Sequence, residues 1–415
     1  MRSAFEIEVR AASGRSRTRT LSIVLAAVAV LPAFLIVLGT LLPAIPVVGT
    51  LGTVVESFVT LHVVVLALVG TALAYYALNR RAGRFARFIA TLGVATTLGS
   101  LVPLVSLVRY AHQSGAPLSW SEHLRVTASE PALTPDDTQR YASPGGISLY
   151  ADIYLPRPAG RNARSTPVIM MHGGGFAFGN RSRGTTNWDR WLTVRGYTVF
   201  DVDYRLSPPV TWNQAAPDIA CALTWLAAHA DQYHVAPERV VLAGQSAGGG
   251  LAMQVAYGIA DGTVVSSCGG TPMQPRAVLA LYPPDDLALP WKMDSGMGPI
   301  SGRKFNIGYI GGSPAQFPER YRTVSPVFHI RSGSAPTFIG AGAHDHLVPL
   351  AGHVEATEAM KQAGVPNMLL AIPYADHGYD AAWGSLGNQI TRHAASAFMA
   401  QFAPASLSPD QSRPF

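Results

Sequence analysis

The pentapeptide at 244–248, Gly-Gln-Ser-Ala-Gly, places a serine between small residues. An apolar run precedes it and a run of small and apolar residues follows it. This pattern predicts a buried strand, a sharp turn at Ser246 and then a helix. Such a turn exposes the serine hydroxyl, and small neighbours let other backbone pass close. Ser246 is therefore a candidate nucleophile, and the alternative is a serine that only caps the helix.

A glycine-rich segment at 172–176, His-Gly-Gly-Gly-Phe, follows another apolar run. Glycines there allow the backbone to aim amide hydrogens into a cavity, as the stabilisation of an oxyanion requires. We assign this role to the amides of Gly174, Gly175 and Ala247. A phosphate-binding loop is the alternative, but the segment lacks the spacing of such loops. His172 is expected to fix the turn by hydrogen bonding rather than to act as a base.

Three motifs in a fixed order indicate a family. The box at 172–176, the segment Asp-Tyr-Arg-Leu-Ser-Pro at 203–208 and the run Gly-Gln-Ser-Ala-Gly-Gly at 244–249 resemble the hormone-sensitive-lipase-like branch of the α/β-hydrolases. The resemblance covers about residues 140–402. It implies an α/β-hydrolase fold and places an acid and a histidine downstream of the serine.

The positions that match the family's acid and histidine hold Asp345, in Gly-Ala-His-Asp-His at 342–346, and His377, in Asp-His-Gly-Tyr at 376–379. The implied catalytic triad is Ser246, Asp345 and His377, in the order that this fold requires. In such a triad the histidine takes the proton of the serine hydroxyl, and the acid fixes the tautomer of the imidazole ring.

Other acidic residues and histidines near these positions allow two alternatives. Asp376 and Asp380 are rival acids, but each lies too close along the chain to His377 to reach the far ring nitrogen easily. The histidines and aspartate at 344–346, with His353 nearby, could indicate a metal site. Adjacent residues on one short loop rarely converge on one ion, so we expect no metal and no organic cofactor.

Apolar runs alternate with longer amphipathic stretches, which predicts a mostly parallel sheet covered by helices on both faces. The predicted strands are 147–154, 167–171, 198–204, 239–243, 277–282, 336–340 and 368–372. The predicted helices are 188–194, 213–229, 247–259, 350–362 and 381–402. From 285 to 325 the alternation lapses. This insertion is either a lid or part of a binding cleft, or else a surface excursion with one unrecognised helix.

Three stretches near the N-terminus carry no charged side chain and are 21 or 22 residues long, namely 21–42, 57–78 and 88–108. A helix of about 20 apolar residues crosses a bilayer, so we expect a membrane region at 1–110. Ser, Pro and acidic residues then collect in a linker at 111–137. The expected catalytic domain is 138–405, followed by a tail at 406–415.

Arginines predict the orientation of the membrane region, since cytoplasmic loops retain positive charge. Five arginines precede the first stretch and four lie between the second and third, whereas residues 43–56 contain neither Lys nor Arg. This pattern places the N-terminus inside the cell. Three crossings of the cell membrane then leave the catalytic domain on the extracytoplasmic side.

Composition limits the remaining possibilities. Of the 415 residues, 48% are hydrophobic and 13% charged, which excludes intrinsic disorder and most nucleic-acid-binding proteins. The net charge of +6 arises in residues 1–110, which hold ten Arg, no Lys and three Glu, so we expect no nucleic-acid partner. Cys221 and Cys268 form either one disulfide or two separate thiols.

Together these residues predict a membrane-anchored serine carboxylesterase or lipase. It would hydrolyse short- to medium-chain acyl esters, either small molecules or lipids, through an acyl-serine intermediate. An acyltransferase or deacetylase acting on cell-envelope esters is an alternative, because it would use the same triad. A non-catalytic binding module on the same scaffold is the third possibility. The oligomeric state stays open.

Overall fold

The computed structural model describes residues 2–79, 83–125, 133–157, 164–293 and 301–405, with the backbone alone for residues 2–17. Arg80, Arg81 and parts of the expected linker, insertion and tail, at 126–132, 294–300 and 406–415, lie outside the described residues. The chain divides into two compact units. The head unit comprises Met1–Thr127 and Pro373–Ile390, and the sheet unit comprises Ala128–Ile372 and Thr391–Phe415.

The head unit contains three long helices and one short helix, namely α1 (Arg2–Leu41), α2 (Val48–Asn79), α3 (Arg84–Gln113) and α4 (Trp120–Leu124). The first three are long and apolar enough to cross a membrane, α1 from Thr18 onward. Small residues allow α1 and α2 to pack closely. A Cβ on Gly52 of α2 would lie 2.4 Å from the amide nitrogen of Thr40 on α1.

Helix α2 is interrupted at Val59, whose φ of −133° and ψ of 35° are not helical. The residues from 60 to 79 still form a stretch of about the length that a bilayer requires. The interruption lies at the start of the predicted second span. Because it breaks the helical hydrogen-bond ladder, backbone groups next to it need partners from elsewhere.

The sheet unit is built on eight strands, β1 (Asp137–Ala142), β2 (Leu149–Tyr154), β3 (Pro167–Met171), β4 (Thr198–Val202), β5 (Val241–Gln245), β6 (Ala277–Leu281), β7 (Thr337–Gly342) and β8 (Asn367–Ile372). Their order is β1-β2-β4-β3-β5-β6-β7-β8. Strands β1 and β2 pair antiparallel with their neighbours, and β4 onward are parallel. The fold is an α/β-hydrolase fold, as predicted.

The central parallel strands are buried on both faces, which explains why the sequence shows them as continuous apolar runs. Strand β1 was not predicted. It is an edge strand with a largely polar sequence, of which only Tyr141 is fully buried. The polar side chains of such an edge strand lack the apolar pattern on which sequence prediction depends.

Helices of the sheet unit follow the strands, as in repeated strand–helix units. They are α5 (Thr186–Thr193), α6 (Ala215–Ala228), α7 (Ala247–Asp261), α8 (Leu289–Lys292), α9 (Gly302–Ile310), α10 (Pro318–Val324), α11 (Leu350–Gln362) and α12 (Leu386–Phe402), whose first turn belongs to the head unit. The five predicted helices are present with ends shifted by five residues or fewer. The described part of the insertion holds α8, α9 and α10, where one helix was considered.

The two cysteines form a disulfide between α6 and the loop that follows α7. Their Cα atoms are 5.5 Å apart and they are separated by 47 positions in the sequence. The alternative of two separate thiols is therefore wrong. The bridge ties the helix that begins after Ser246 to its neighbour on the sheet.

Candidate active site

Ser246 occupies the turn between strand β5 and helix α7, which confirms the predicted strand–turn–helix. Its φ of 52° and ψ of −121° are strained for a residue with a side chain. The amide of Ser246 donates a hydrogen bond to the carbonyl oxygen of Leu281 at 2.8 Å, which fixes the turn against β6. The strain is maintained because the strand and the helix on either side determine the backbone path.

The glycines on either side of the serine are required by close backbone contacts. A Cβ on Gly244 would lie 2.4 Å from the carbonyl carbon of Gly248. A Cβ on Gly248 would lie 2.3 Å from the carbonyl oxygen of Met171 and 2.5 Å from that of His172. These distances are shorter than any contact that a methyl group tolerates. Glycine is therefore required at these two positions because β3 and β5 lie very close to the start of α7.

The glycine-rich segment lies against the serine turn. A Cβ on Gly173 would be 3.3 Å from the Cβ of Ser246. Gly174 and Gly175 have φ values of 122° and 59°, which favour glycine. In the described part of the chain, the amides of Gly174 and Gly175 donate no hydrogen bond to a backbone carbonyl outside the helices and strands. Both amides are therefore available to a ligand, together with the amide of Ala247 at the N-terminus of α7.

His172 holds the glycine-rich turn, as predicted. Its Nδ1–H donates to the carbonyl oxygen of Gly173 at 2.7 Å, and its ring stacks on Tyr204 with centroids 4.5 Å apart. The hydroxyl of Tyr204 donates to the carbonyl oxygen of His172 at 2.9 Å. Burial lowers the pKa of His172, which the hydrogen bond to Gly173 only partly offsets. The ring is therefore neutral and structural.

The Asp-Tyr-Arg segment supports this turn in a way that the sequence did not reveal. Arg205 forms a two-pronged ion pair with Asp218 of α6, with nitrogen–oxygen distances of 2.8 and 2.7 Å. Asp203 accepts a hydrogen bond from the guanidinium of Arg181 at 2.6 Å. These buried or half-buried pairs fix the residues on both sides of Tyr204. The Asp-Tyr-Arg segment thus helps to position the glycine-rich segment.

Asp345 follows strand β7 and is buried. Its Oδ1 accepts hydrogen bonds from the amides of Leu347 and Val348 at 2.8 and 2.7 Å. These bonds to its own loop hold the carboxylate in one orientation. Leu347 and Val348 in turn line the pocket that Ser246 lines.

That pocket has a volume of about 540 Å³, counted with the solvent at its mouth. Four segments of the sheet unit form its wall: the glycine-rich segment, the serine turn, the insertion and the loop after β7. The residues from these segments are Gly175, Phe176, Ser246, Ala247, Pro284, Asp285, Asp286, Leu287, Leu289, Pro290, Gly302, Phe305, Asn306, Leu347, Val348, Pro349 and Gly352. The described part of the insertion therefore lines the pocket beside Ser246 and is not a mere surface excursion, while its role as a binding cleft or lid stays a prediction.

A second aspartate–histidine pair lies at the pocket wall. Asp285 Oδ2 pairs with Nδ1 of His353, and both side chains are almost completely buried. The sequence indicates His353 only as a possible metal ligand. The described residues contain no group of three or more His, Cys, Asp or Glu placed to hold a metal ion. Nothing in the sequence links position 285 to position 353.

His377 lies in the head unit, in the segment Pro373–Ile390. Its amide donates to Oδ1 of Asp376 at 2.7 Å. The other carboxylate oxygen of Asp376 accepts a hydrogen bond from the hydroxyl of Thr53 at 2.5 Å. The other five predicted site residues lie in the sheet unit, where the structure brings the glycine-rich segment, Ser246 and Ala247 together at one pocket.

The BD-FAE family model matches residues 151–360, about half of the chain. The matched region contains the glycine-rich segment, the serine turn and Asp345. It ends before the segment that carries His377, and it begins after the three apolar helices.

Several curated relatives are esterases or lipases. The chain is 24% identical over 276 residues to esterase LipQ of Mycobacterium tuberculosis, covering 64% of each chain. It is 25% identical over 309 residues to lipase 2 of Moraxella sp., covering 66% of this chain and 70% of that one. A non-reducing polyketide synthase of Preussia isomera is 25% identical over 306 residues, but this chain spans only 14% of its length.

Solved structures show the same fold. The apo form of Thermogutta terrifontis esterase 2 has a TM-score of 0.55 and 23% identity, covering 68% of this chain and all of the other. A form of that esterase phosphonylated by sarin has a TM-score of 0.57, and a butyrate-bound form has one of 0.53. At this identity the likeness establishes the α/β-hydrolase fold.

Proposed function

This chain belongs to the BD-FAE family, and from that premise we propose that it is a membrane-anchored serine carboxylesterase. In this proposal Ser246 is the nucleophile, His377 the general base and Asp345 the acid that orients the histidine. The observation that carries the proposal is the strained turn at Ser246, which lies in one pocket with Gly175 and Ala247.

The proposed reaction proceeds in two steps. His377 takes the proton of the Ser246 hydroxyl as the oxygen attacks the ester carbonyl carbon, and the protonated histidine then returns it to the departing alcohol. Water next attacks the acyl-serine, with His377 again acting as base, and releases the acid. The amides of Gly174, Gly175 and Ala247 stabilise the negative oxygen in both steps.

Short- to medium-chain acyl groups are the proposed substrates. The pocket wall supplies apolar side chains from the insertion, among them Leu287, Leu289 and Phe305. Its modest volume suits a short acyl group better than a long one. The ring of Phe305 also lies against Gly175, where a Cβ would be 2.6 Å from it. Thermogutta terrifontis esterase 2, of the same fold, is known in propionate- and butyrate-bound forms.

The membrane region and its orientation complete the proposal. Three apolar helices in residues 1–110 cross the membrane, with residues 138–405 as the catalytic domain on the extracytoplasmic side. The arginine pattern supports this orientation. The disulfide between Cys221 and Cys268 supports it independently, because disulfides persist in oxidising compartments.

Ester hydrolysis by the full-length protein in detergent tests the activity. We expect p-nitrophenyl acetate and butyrate to be hydrolysed faster than palmitate. Ser246→Ala should lose about 10⁴-fold or more in kcat with the fold intact. Ser143→Ala, at a turn where the serine makes no capping hydrogen bond, is the control and should keep wild-type activity. Retention of more than about a tenth of the rate in Ser246→Ala would exclude this nucleophile.

Sidedness needs a separate experiment. A membrane-impermeant fluorophosphonate applied to intact cells should label the protein as fully as it labels a lysate. Labelling in the lysate alone would reverse the proposed orientation and leave the hydrolase activity untouched. Product analysis with an added alcohol acceptor would distinguish hydrolysis from acyl transfer.

A further inference from the structure

The segment that carries His377 belongs to the head unit although the chain on both sides of it belongs to the sheet unit. Strand β8 ends at Ile372, and the head unit takes Pro373–Ile390 before the chain returns to the sheet unit at Thr391. The proposed general base is therefore packed with the apolar helices.

Two hydroxyl side chains of α2 bind the residue next to His377. The hydroxyl of Thr53 donates to Oδ2 of Asp376 at 2.5 Å, and the amide of Asp376 donates to the hydroxyl oxygen of Ser57 at 2.8 Å. Thr53 and Ser57 are four positions apart, so both face the same side of the helix. Because Oδ1 of Asp376 accepts the amide of His377 at 2.7 Å, Asp376 connects the helix to the backbone of the histidine.

The donor and the acceptor in the contact between Asp376 and Ser57 are fixed by a second hydrogen bond. The hydroxyl of Ser57 donates its proton to the carbonyl oxygen of Thr53 at 2.7 Å, so its oxygen is left to accept from Asp376. Thr53 is 0% exposed and Asp376 2% exposed. A hydroxyl lost here is therefore poorly replaced by water, and the carboxylate would lose a charge-assisted hydrogen bond.

Helix α4 holds the far end of the same segment. Nδ1–H of His123 donates to the carbonyl oxygen of Gly384 at 3.2 Å. Nε2 of His123 accepts the amide of Leu61 at 3.2 Å, a group released from the helical ladder by the interruption at Val59. Burial lowers the pKa of His123, so the ring is neutral and offers one donor and one acceptor. The segment is therefore tied to the head at both ends.

Two other hydroxyl side chains of the apolar helices bond only within their own helix. The hydroxyl of Thr60 donates to the carbonyl oxygen of Glu56 at 2.9 Å, and that of Thr96 donates to Leu92 at 2.8 Å. A hydroxyl on an apolar helix usually donates in this way to a carbonyl oxygen of the preceding turn. The hydroxyl of Thr53 also lies 3.1 and 3.2 Å from the carbonyl oxygens of Gly49 and Thr50, but its shortest contact is to Asp376, 323 positions away.

We propose that Thr53 and Ser57 are positioning residues for His377, so that the membrane region takes part in catalysis as well as in anchoring. The inference rests on the proposed role of His377 as general base. The two hydroxyls act through Asp376, which sets the position of the histidine backbone. Loss of either one allows the imidazole to move away from the position that proton transfer requires.

The test compares variants of the full-length protein in detergent. Thr53→Val keeps the shape of the side chain and removes the hydroxyl, and Ser57→Ala does the same on the next turn. Thr60→Val is the matched control on the same helix. Activity is expressed per active site, counted by the burst of p-nitrophenol. We expect kcat for p-nitrophenyl butyrate to fall about tenfold or more in Thr53→Val, with KM within about twofold, because small displacements of a catalytic group are costly.

Two further readouts separate positioning from stability. Thr53→Ser restores the hydroxyl and should recover most of the rate. The acidic limb of the kcat/KM profile should shift in Thr53→Val and not in Thr60→Val, since a displaced imidazole titrates in a changed environment. If Thr53→Val folds in low yield, its kcat per titrated site is still compared with that of Thr53→Ser. A ratio near one overturns the inference.

The outcomes distinguish this inference from the function on which it rests. If Thr53→Val and Ser57→Ala match Thr60→Val while His377→Ala is inactive, the positioning role is wrong and the esterase proposal stands. If His377→Ala keeps its activity, the assignment of the general base fails first. If both kinds of variant lose activity as expected, and Thr53→Ser recovers, the positioning role is supported.

Discussion

Ser246 and His377 are held in place by two different kinds of interaction. Ser246 is held by its own backbone, in a turn between β5 and α7 that leaves room only for glycine at positions 244 and 248. His377 follows a residue that is held by side chains of α2, more than 300 positions earlier in the chain. The position of the proposed nucleophile thus depends on the local sequence, whereas that of the proposed base depends on tertiary structure.

This difference predicts how substitutions near Ser246 and near His377 affect activity. A larger side chain in the turn at Ser246 clashes with backbone atoms, and the backbone there has no room to adjust. A change on the histidine side removes one of several hydrogen bonds and moves the segment by a small distance. We therefore expect the largest losses from the serine side.

Gly248→Ala should give the largest effect. Its Cβ would lie 2.3 Å from the carbonyl oxygen of Met171, so either β3 or the start of α7 must move. We expect kcat/KM to fall about 100-fold or more, because the hydroxyl of Ser246 moves with the helix. We also expect a loss of about 1–3 kcal/mol of stability, typical of overpacking.

Gly308→Ala is the matched control for this prediction. Gly308 lies in α9, and a Cβ there would meet nothing within 4 Å. Alanine favours a helix over glycine, so stability should be unchanged or rise by up to about 1 kcal/mol. Equal activity of the two variants would show that the serine turn is not sterically constrained.

Removal of the disulfide should lower the stability with only a small effect on activity. Cys221→Ser with Cys268→Ser opens a bridge that spans 47 positions. The chain-entropy estimate gives a loss of about 3–4 kcal/mol. Thermal unfolding in detergent measures it, while the serine turn stays intact and kcat changes little. Non-reducing mass mapping of protein from its native membrane checks the premise, and two free thiols there would contradict it.

A buried pair of carboxyl groups should give the smallest effect. Burial raises the pKa of Asp189 well above its ordinary value, and the neighbouring charge of Asp201 raises it further. Burial likewise raises the pKa of Asp201 to about 7. An acid whose pKa is raised on folding stabilises the fold below its unfolded pKa and loses that contribution as the pH rises through the folded value. Thermal stability should therefore decline as the pH rises from about 4, where an unfolded aspartate titrates, through about 7.

Asp189→Asn tests this expectation. The variant keeps the size of the side chain and cannot ionise, so its melting temperature at alkaline pH should exceed that of the wild type by about 2–4 °C. Asp231→Asn, whose side chain is 88% exposed, is the control and should leave the pH dependence unchanged. An identical decline in Asp189→Asn and the wild type would contradict the assignment.

The sequence predicted those parts of the site that depend on local sterics. The strand before Ser246, the helix after it and the hydrogen-bonding role of His172 follow from glycine spacing and apolar runs, and the structure confirms them. The short helices α8, α9 and α10 were missed because proline and glycine interrupt the apolar pattern there.

The histidine side could not be predicted in the same way. Hydroxyls on an apolar helix are common and usually bond within their own turn, so nothing in the sequence distinguishes Thr53 from Thr60. The contact between His123 and Leu61 depends on an interruption in α2 that no proline or glycine marks at Val59. Such contacts join residues that only the folded chain brings together.

The rate and site of fluorophosphonate labelling in the full-length protein test directly whether Ser246 is a nucleophile that His377 activates. The wild type should carry a single adduct, mapped by mass spectrometry to the peptide that contains Ser246. His377→Ala should label at a rate lower by about 10²-fold or more, because the serine lacks its base. An adduct on another residue would exclude Ser246 as the nucleophile, and equal labelling rates in the wild type and His377→Ala would exclude His377 as its base.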